Sequence, residues 1–231
     1  MIRLHVFPDP WGINPSPFCL KVETYCRLAD MPFRTVNTLP ARAPRGKLPF
    51  LEDAGERIPD SGQIIDHLKK WHGDPLDRDL DDQQRALGHL IRRTCEESLY
   101  FVLVYFRWID PAGWQAIRPA FFGALPPLIR DAVAWTAGRG VRRALHGQGT
   151  GRHDPEGVLA LGAADLAALA TLLAHRPFAV GDRPSSYDAS LYGVLANIID
   201  VPVTTALTAE ARRHEVLAAY TARVRGVIGA G

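Results

Sequence analysis

Ser16-Pro17-Phe18-Cys19 places a hydroxyl and a thiol three residues apart at what the pattern reads as the start of a helix. Ser16 is a suitable N-cap, Pro17 fits the first helical position, and Phe18, Val22, Tyr25, Cys26 and Ala29 recur on one face of residues 17–29. Lys21, Glu23 and Arg27 fall elsewhere on that helix. A serine hydroxyl at a helix N-terminus can donate to a thiolate. Together with the helix dipole it would lower a thiol pKa from about 8.5 towards neutrality. The alternative is that Ser16 only caps the helix. Cys19 is the second candidate for thiol chemistry, one turn inside and expected to be partly buried. A disulfide to Cys26 is excluded in an intact helix, where seven residues rise about 10.5 Å against a limit of about 7 Å.

Two other pairs could bind rather than react. Leu48-Pro49 precedes an apolar segment at Phe50. A cis bond there would turn the Leu48 amide and carbonyl outward, where an extended peptide can pair with them; a trans proline would simply open a strand. Asp60-Ser61 starts a helix, where free N–H groups and the dipole suit a carboxylate and where the same residues serve as caps. Arg139, Arg142, Arg143, Arg152 and His153 cluster among glycines, which reads as a solvated helix end with an anion site as the alternative. The aromatics Tyr100, Tyr105, Phe106, Trp108 and Trp114 are mostly core, with Tyr100, Tyr105 and Trp108 the ones expected to reach a cleft. No Cys and His tetrad at zinc spacing occurs, and no metal is expected.

The elements that must hold these groups change character along the chain. Ile2–Phe7 alternates as a strand, the helix of residues 17–29 follows, and Phe33–Val36 is a second short strand. Pro40, Pro44 and Gly46 mark residues 38–47 as loop. Phe50–Asp53 and Glu56–Ile58 pair around Ala54-Gly55, and a helix from Asp60-Ser61 turns Ile64, Ile65, Leu68 and Trp71 to the core. Beyond residue 79 only helices are expected. The first is capped by Asp79 or Asp81, with Leu87, Leu90, Ile91, Thr94 and Cys95 on one side, and it becomes apolar almost all round over 98–109. Helices follow at Trp114–Phe122, Pro127–Leu145, Asp154 to His175, Ser185–Ile199 and Ala209–Val227, with a glycine-rich loop over Gly147–Arg152. The switch at Gly73–Arg78 reads as a boundary between an α/β domain and an all-α domain.

Composition narrows the function classes. Apolar residues make up 47% of the 231 and charged residues 23%, which suits a packed globular chain and excludes wholesale disorder. A net charge of +2 is too balanced for a phosphate-tracking protein, so no nucleic-acid partner is expected. Three cysteines point away from a disulfide-stapled secreted domain. Residues 1–8 lack the apolar core of a signal peptide, and the longest apolar run, Leu99–Phe106, has eight residues against the ~20 needed to span a bilayer. A soluble, cytoplasmic chain is expected.

This order of elements, with Ser16-Pro17-Phe18-Cys19-Leu20-Lys21, Gly46-Lys47-Leu48-Pro49-Phe50 and the segment 145–153, resembles the glutathione S-transferase superfamily over nearly the whole chain. Within it, the sequence looks most like the failed-axon-connections and metaxin-like branch. The resemblance implies a thioredoxin-like, glutathione-binding domain over residues 1–73 and an all-helical domain over 79–231. It implies that Pro49 is cis and that the Leu48 backbone binds the cysteinyl part of glutathione. Asp60 and Ser61 would hold its γ-glutamyl end, and Ser16 would stand at its sulfur. Ser16 and Cys19 match the two ends of a Cys-Pro-x-Cys motif whose first cysteine is missing here, which speaks against dithiol chemistry. Ser185-Ser186-Tyr187-Asp188 matches the family's helix-starting Ser/Thr-x-x-Asp box, a folding element.

One departure stands out: only ten residues separate Val36 from Lys47, fewer than relatives give their second helix. Lys47 or Arg45 would then have to hold the glycyl carboxylate. The implied activity conjugates glutathione, as co-substrate, to an electrophilic, largely apolar small molecule held by Tyr100, Tyr105 and Trp108. A non-catalytic metaxin-like binding protein and a Cys19-dependent thiol-transfer enzyme are the alternatives, and the family suggests a homodimer.

Overall fold

The computed structural model describes residues 1–229. β1 (Ile2–Val6) buries Ile2, Leu4 and Val6 and leads to α1 (Pro17–Leu28); β2 (Phe33–Asn37) then lies parallel to β1. The connector that follows holds a single 3-10 turn, Pro40–Arg42, in place of a helix. β3 (Phe50–Asp53) and β4 (Glu56–Pro59) form a hairpin whose turn, Ala54-Gly55, has positive φ at both residues (49° and 87°), as the two-residue turns that match strand twist require. β3 runs antiparallel to β1 with Phe50 opposite His5, giving the strand order β2-β1-β3-β4. α2 (Ser61–His72) packs Ile64, Ile65 and Leu68 onto the sheet. This is a thioredoxin-like unit followed by a helical domain, the fold expected from the sequence.

The register decides where function can sit. β1 ends, β3 begins and β4 ends at one edge of the sheet, since His5 faces Phe50 and Phe50 faces Pro59. The segments leaving or entering at that edge carry Ser16, Leu48-Pro49 and Asp60-Ser61. Asp53 and Ile2 lie at the opposite edge.

The helical part comprises α3 (Asp82–Arg93), a π-helical stretch Thr94–Leu99, α4 (Tyr100–Trp108), α5 (Pro111–Phe122), α6 (Pro127–Gln148), α7 (Pro155–Leu173), α8 (Ser186–Ile199), α9 (Ala206–Arg212) and α10 (Glu215–Ile228). α8 is buried along its length and runs against α1. At its start Asp188 accepts from the Ser185 N–H and hydroxyl (both 2.8 Å), the Ala179 N–H (2.8 Å) and the Tyr220 hydroxyl (2.8 Å). At Gly193 a Cβ would stand 2.6 Å from the Pro17 carbonyl oxygen, so only glycine permits α8 to approach the first turn of α1 this closely.

Several expectations are corrected. Trp71 is 66% exposed, with the Lys70 ammonium over its ring, and does not join the core. Leu90 is 64% exposed; the buried ridge of α3 runs through Gly88, Ile91 and then Cys95, with the Tyr187 ring seated on Gly88. A glycine carries no weight in an apolar pattern, so the pattern takes in Leu90 beside the buried Ile91 and Cys95 and passes over Gly88. α6 extends to Gln148, leaving a 3-10 turn at Thr150–Arg152 where a loop was expected. The final helix is two: α9 and α10 break at Arg213-His214, which lets α10 turn back onto α7 and α8. α7 is 19 residues with a mean hydropathy of 1.6, long and apolar enough to cross a bilayer by composition alone. In the structure Val158, Leu166, Leu169 and Leu173 join the core, and Gly162 faces Val102 of α4.

Candidate functional site

Ser16 caps α1 as expected: its backbone is extended, its Oγ accepts from the Cys19 N–H at 3.4 Å, and Pro17 occupies the first turn. No acidic side chain lies in that turn, so the positive end of the helix is uncompensated and free to favour an anion. The loop before it is fixed from three sides. The Ser16 N–H donates to Asn14 Oδ1 at 3.1 Å, and Asn14 Nδ2 donates to the Phe7 carbonyl and to Glu23 Oε1. From the helical domain, Arg107 Nη1 donates to the Pro15 carbonyl at 2.7 Å, and Asn197 Nδ2 to the Asn14 carbonyl at 3.1 Å.

Cys19 lies in the same turn, but its sulfur is 0% exposed in the core of the α/β part. Burial pushes its thiol up to about 12, against the opposing hydrogen bonds from Ser16 and the Phe7 backbone. A nucleophilic thiol needs both access and ionisation, and Cys19 has neither. A neutral thiol is a weak acceptor, so the hydrogen bond it takes from the Ser16 hydroxyl competes poorly with one to a charged thiolate. All three cysteines are free and buried.

Leu48-Pro49 is cis, and both residues are buried at the head of β3. Lys47 and Arg45 beside them are exposed, and neither is ion-paired among the described residues. Asp60 has a positive φ of 72° and caps α2, with Oδ1 accepting from the N–H groups of Gly62 (2.9 Å) and Gln63 (3.3 Å). Its other carboxylate oxygen accepts no hydrogen bond among the described residues.

Ser61 is held by a residue that sequence reasoning assigned to the polar face of α1. Lys21 is 2% exposed, since α8 covers the side of α1 that the sheet does not. Its Nζ donates to Ser61 Oγ at 3.2 Å and to Glu96 Oε1 at 2.6 Å, and Glu96 also accepts from Ser190 Oγ at 2.8 Å. A hydroxyl that accepts from Lys21 must point its own proton elsewhere, which at a helix N-terminus suits a ligand carboxylate. The Lys21→Met variant is expected to raise the glutathione KM roughly five- to tenfold with kcat little changed. It should also cost about 2 kcal/mol of stability, because Glu96 loses its charged partner. Steady-state kinetics over a range of glutathione concentrations separates the two parameters.

Glu23 adds a pH response next to this loop. Burial pushes its carboxyl up to about 7, against the hydrogen bond from Asn14. The folded state therefore holds this proton more tightly than the unfolded chain does. Its contribution to stability is full below about 4.5 and is lost as pH rises towards about 7. Glu23→Gln keeps an acceptor for Asn14 and removes the titration. It is expected to be more stable than wild type at pH 8 by on the order of 1–3 kcal/mol and equal to it at pH 4, read from urea unfolding at both pH values.

Of the three expected pocket aromatics, Tyr100 packs on Phe18 of α1 (centroids 4.7 Å apart) and so meets the α/β part. Tyr105 does not. It is buried beside a cavity of about 440 Å³ lined also by Ile109, Arg142, Arg143 and His146, on the α6 side of α4. Trp108 joins Trp114, Phe121 and Phe122 in a half-buried aromatic patch, reached across Phe121 by Trp11 from the loop after β1. Trp11 and Phe121 were missed because nothing in their own segments distinguishes them from ordinary loop and core aromatics. The patch borders the loop that leads to Ser16 and can hold an apolar group.

Comparison with known proteins places these features in context. A family model described as glutathione S-transferase N-terminal domain matches residues 17–113, and one described as glutathione S-transferase C-terminal domain matches residues 162–224. The chain is 36% identical over 210 residues to isoprene-epoxide–glutathione S-transferase of Rhodococcus sp. (strain AD45), covering 87% of this chain and 88% of that protein. It is 31% identical over 194 residues to Failed axon connections of Drosophila melanogaster, covering 79% of this chain and 46% of that protein. Metaxin-2 of Mus musculus is 24% identical over 216 residues, covering 92% and 82%. Among solved structures, the beta-etherase LigF from Sphingobium sp. strain SYK-6 superposes with a TM-score of 0.66 at 17% identity, covering 97% of this chain and 94% of that one.

Proposed function

The chain belongs to the glutathione S-transferase family, and from that premise we propose that it conjugates glutathione to a small, largely apolar electrophile, with an alkene-derived epoxide as the favoured class. The observation that carries this reading is the uncompensated N-terminus of α1, where the Ser16 hydroxyl sits at the sheet edge shared with Leu48-Pro49 and Asp60-Ser61. Glutathione lies along Leu48, with its γ-glutamyl carboxylate at Ser61 and its amino group at Asp60. Lys47 holds the glycyl carboxylate.

Ser16 Oγ–H donates to the sulfur, so the thiol proton leaves to water at a lower pH than in free glutathione. The thiolate forms the new carbon–sulfur bond as the carbon–oxygen bond of the epoxide breaks, and the released oxygen takes a proton from water. Orientation and stabilisation of the thiolate supply the acceleration. The aromatic patch of Trp11, Trp108 and Phe121 takes the apolar part of the electrophile. The setting is the reducing cytoplasm, where glutathione is abundant as the thiol.

The likeness to Failed axon connections and Metaxin-2 favours a second reading, a binding protein without turnover. Calorimetry with glutathione, followed by turnover of a short-chain epoxide, separates the two. Binding at millimolar glutathione or below together with epoxide-dependent loss of free thiol supports the enzyme. Absence of heat at millimolar glutathione contradicts it and favours the second reading.

A further inference from the structure

The opposite edge of the sheet carries a group of side chains that conjugation does not use. His67 and His72 both aim Nε2 at Oδ2 of Asp53, at 3.0 and 2.7 Å, and the three donor atoms all lie within 4.8 Å of one another. Asp53 is the last residue of β3, and the two histidines stand on the final turns of α2, which crosses above it. The Asp53 and His67 side chains are mostly buried, while His72 borders solvent. Asp53 and His72 also line a cavity of about 560 Å³ whose wall includes Asp30, Asp74 and Arg78.

Two imidazoles need not turn the same nitrogen to the same point merely to hydrogen-bond one carboxylate, which offers two oxygens. Both Nε2 atoms instead meet the same Oδ2, and this set of two nitrogens and one oxygen is compact enough to close around a single metal ion. Two nitrogens and one oxygen suit zinc and its neighbours in the first transition row, and they do not suit magnesium or calcium, which prefer all-oxygen sets. Bonds of about 2.0–2.1 Å in a tetrahedron set ligand atoms roughly 3.3 Å apart. The two nitrogen–oxygen separations of 2.7 and 3.0 Å therefore need to open by about 0.3–0.6 Å, and the nitrogen–nitrogen separation, within 4.8 Å, has to come to the same value. The adjoining cavity leaves a fourth position open to water.

We propose that Asp53, His67 and His72 bind one divalent cation of the zinc class at the C-terminal end of α2, with the fourth coordination position open to the cavity. The ion would tie α2 to the β3–β4 hairpin. The cluster escapes a search for Cys and His spacing because one ligand comes from a strand, and the two histidines are five positions apart on the helix, with four residues between them.

The test uses the full chain, free of any purification tag and stripped with a chelator. It is titrated with Co²⁺ while visible absorption is recorded, then with Zn²⁺ as competitor and in parallel by calorimetry. The expected result is one ion per chain, a visible Co²⁺ band displaced by Zn²⁺, and a Zn²⁺-dependent rise in Tm. His72→Gln alters a side chain at the surface and should weaken binding at least about tenfold, with unchanged far-ultraviolet circular dichroism. His67→Gln combined with His72→Gln should abolish the band and the Tm rise. No visible Co²⁺ band in the wild type, or equal affinity in the wild type and the double variant, overturns the proposal. Glutathione calorimetry is unaffected by either outcome, since the two sites lie at opposite edges of the sheet.

Discussion

Replacing Ser16 with alanine is expected to lower kcat/KM for conjugation by roughly 10²–10³-fold while glutathione affinity changes only a fewfold. Removal of one donor aimed at a developing or stored negative charge typically costs this much. Binding should survive because, in the proposed mode, the Leu48 backbone, Asp60 and Ser61 would hold other parts of the tripeptide. The fold should survive as well. Losing the N-cap costs about 1 kcal/mol, and the cap bond that the Ser16 side chain accepts from the Cys19 N–H is long, at 3.4 Å. Steady-state kinetics with a short-chain epoxide, run beside glutathione calorimetry, checks both halves. The Cys19→Ala variant is the natural control. Its sulfur is buried and protonated, so conjugation should change little, and equal loss in both variants would redirect attention to the thiol.

Replacing Arg107 with methionine is the second large effect, expected to cost about 2–4 kcal/mol of stability and to lower turnover at least tenfold. The guanidinium is 4% exposed and forms a fork between the domains. Nη1 donates to the Pro15 carbonyl at 2.7 Å, and Nη2 donates to the Asn197 carbonyl (2.6 Å) and to its Oδ1 (2.8 Å). The Trp11 ring lies 5.5 Å away on the other side. Burial pulls its pKa down to about 9, which still leaves it charged at neutral pH. Methionine relieves the desolvated charge but strands three buried acceptors, each costing about 1–3 kcal/mol. Arg107→Lys should not restore function, because an ammonium cannot present two parallel donors to separate carbonyl groups. Urea unfolding measures the first effect and kcat the second. Arg107 acts through the Asn14-Pro15 segment and is a positioning residue. A stability loss without any change in kcat would show that this loop does not need its anchor.

Much of the fold was legible because its signals are local. Ser16-Pro17, the Ala54-Gly55 turn, the Asp60-Ser61 start and the Ser185–Asp188 box each act within about four residues, where backbone chemistry alone decides. What escaped depends on contacts across the chain. Lys21 reads as a surface residue on an amphipathic helix, yet α1 is covered by the sheet on one side and α8 on the other. Arg107 lies at the end of an apolar run and reads as its boundary, while its partners stand some 90 residues away in either direction. Tyr105 and Trp108 share one helix but face different neighbours, which no periodicity distinguishes. The candidate site divides the same way: Ser16, Leu48, Pro49, Asp60 and Ser61 come from local motifs that the sheet register brings to one edge, whereas Lys21, Arg107 and Asn197, which fix them, appear only in three dimensions.

The central claim is that the N-terminus of α1 and the Ser16 hydroxyl turn bound glutathione into a thiolate near neutral pH. Its most direct measurement is the pH titration of thiolate ultraviolet absorbance for glutathione bound to the wild type and to Ser16→Ala. The account predicts a bound thiol in the wild type that titrates about one to two units below the free value of about 8.5, returning towards it in the variant. A bound thiol that titrates like free glutathione in the wild type would contradict the account.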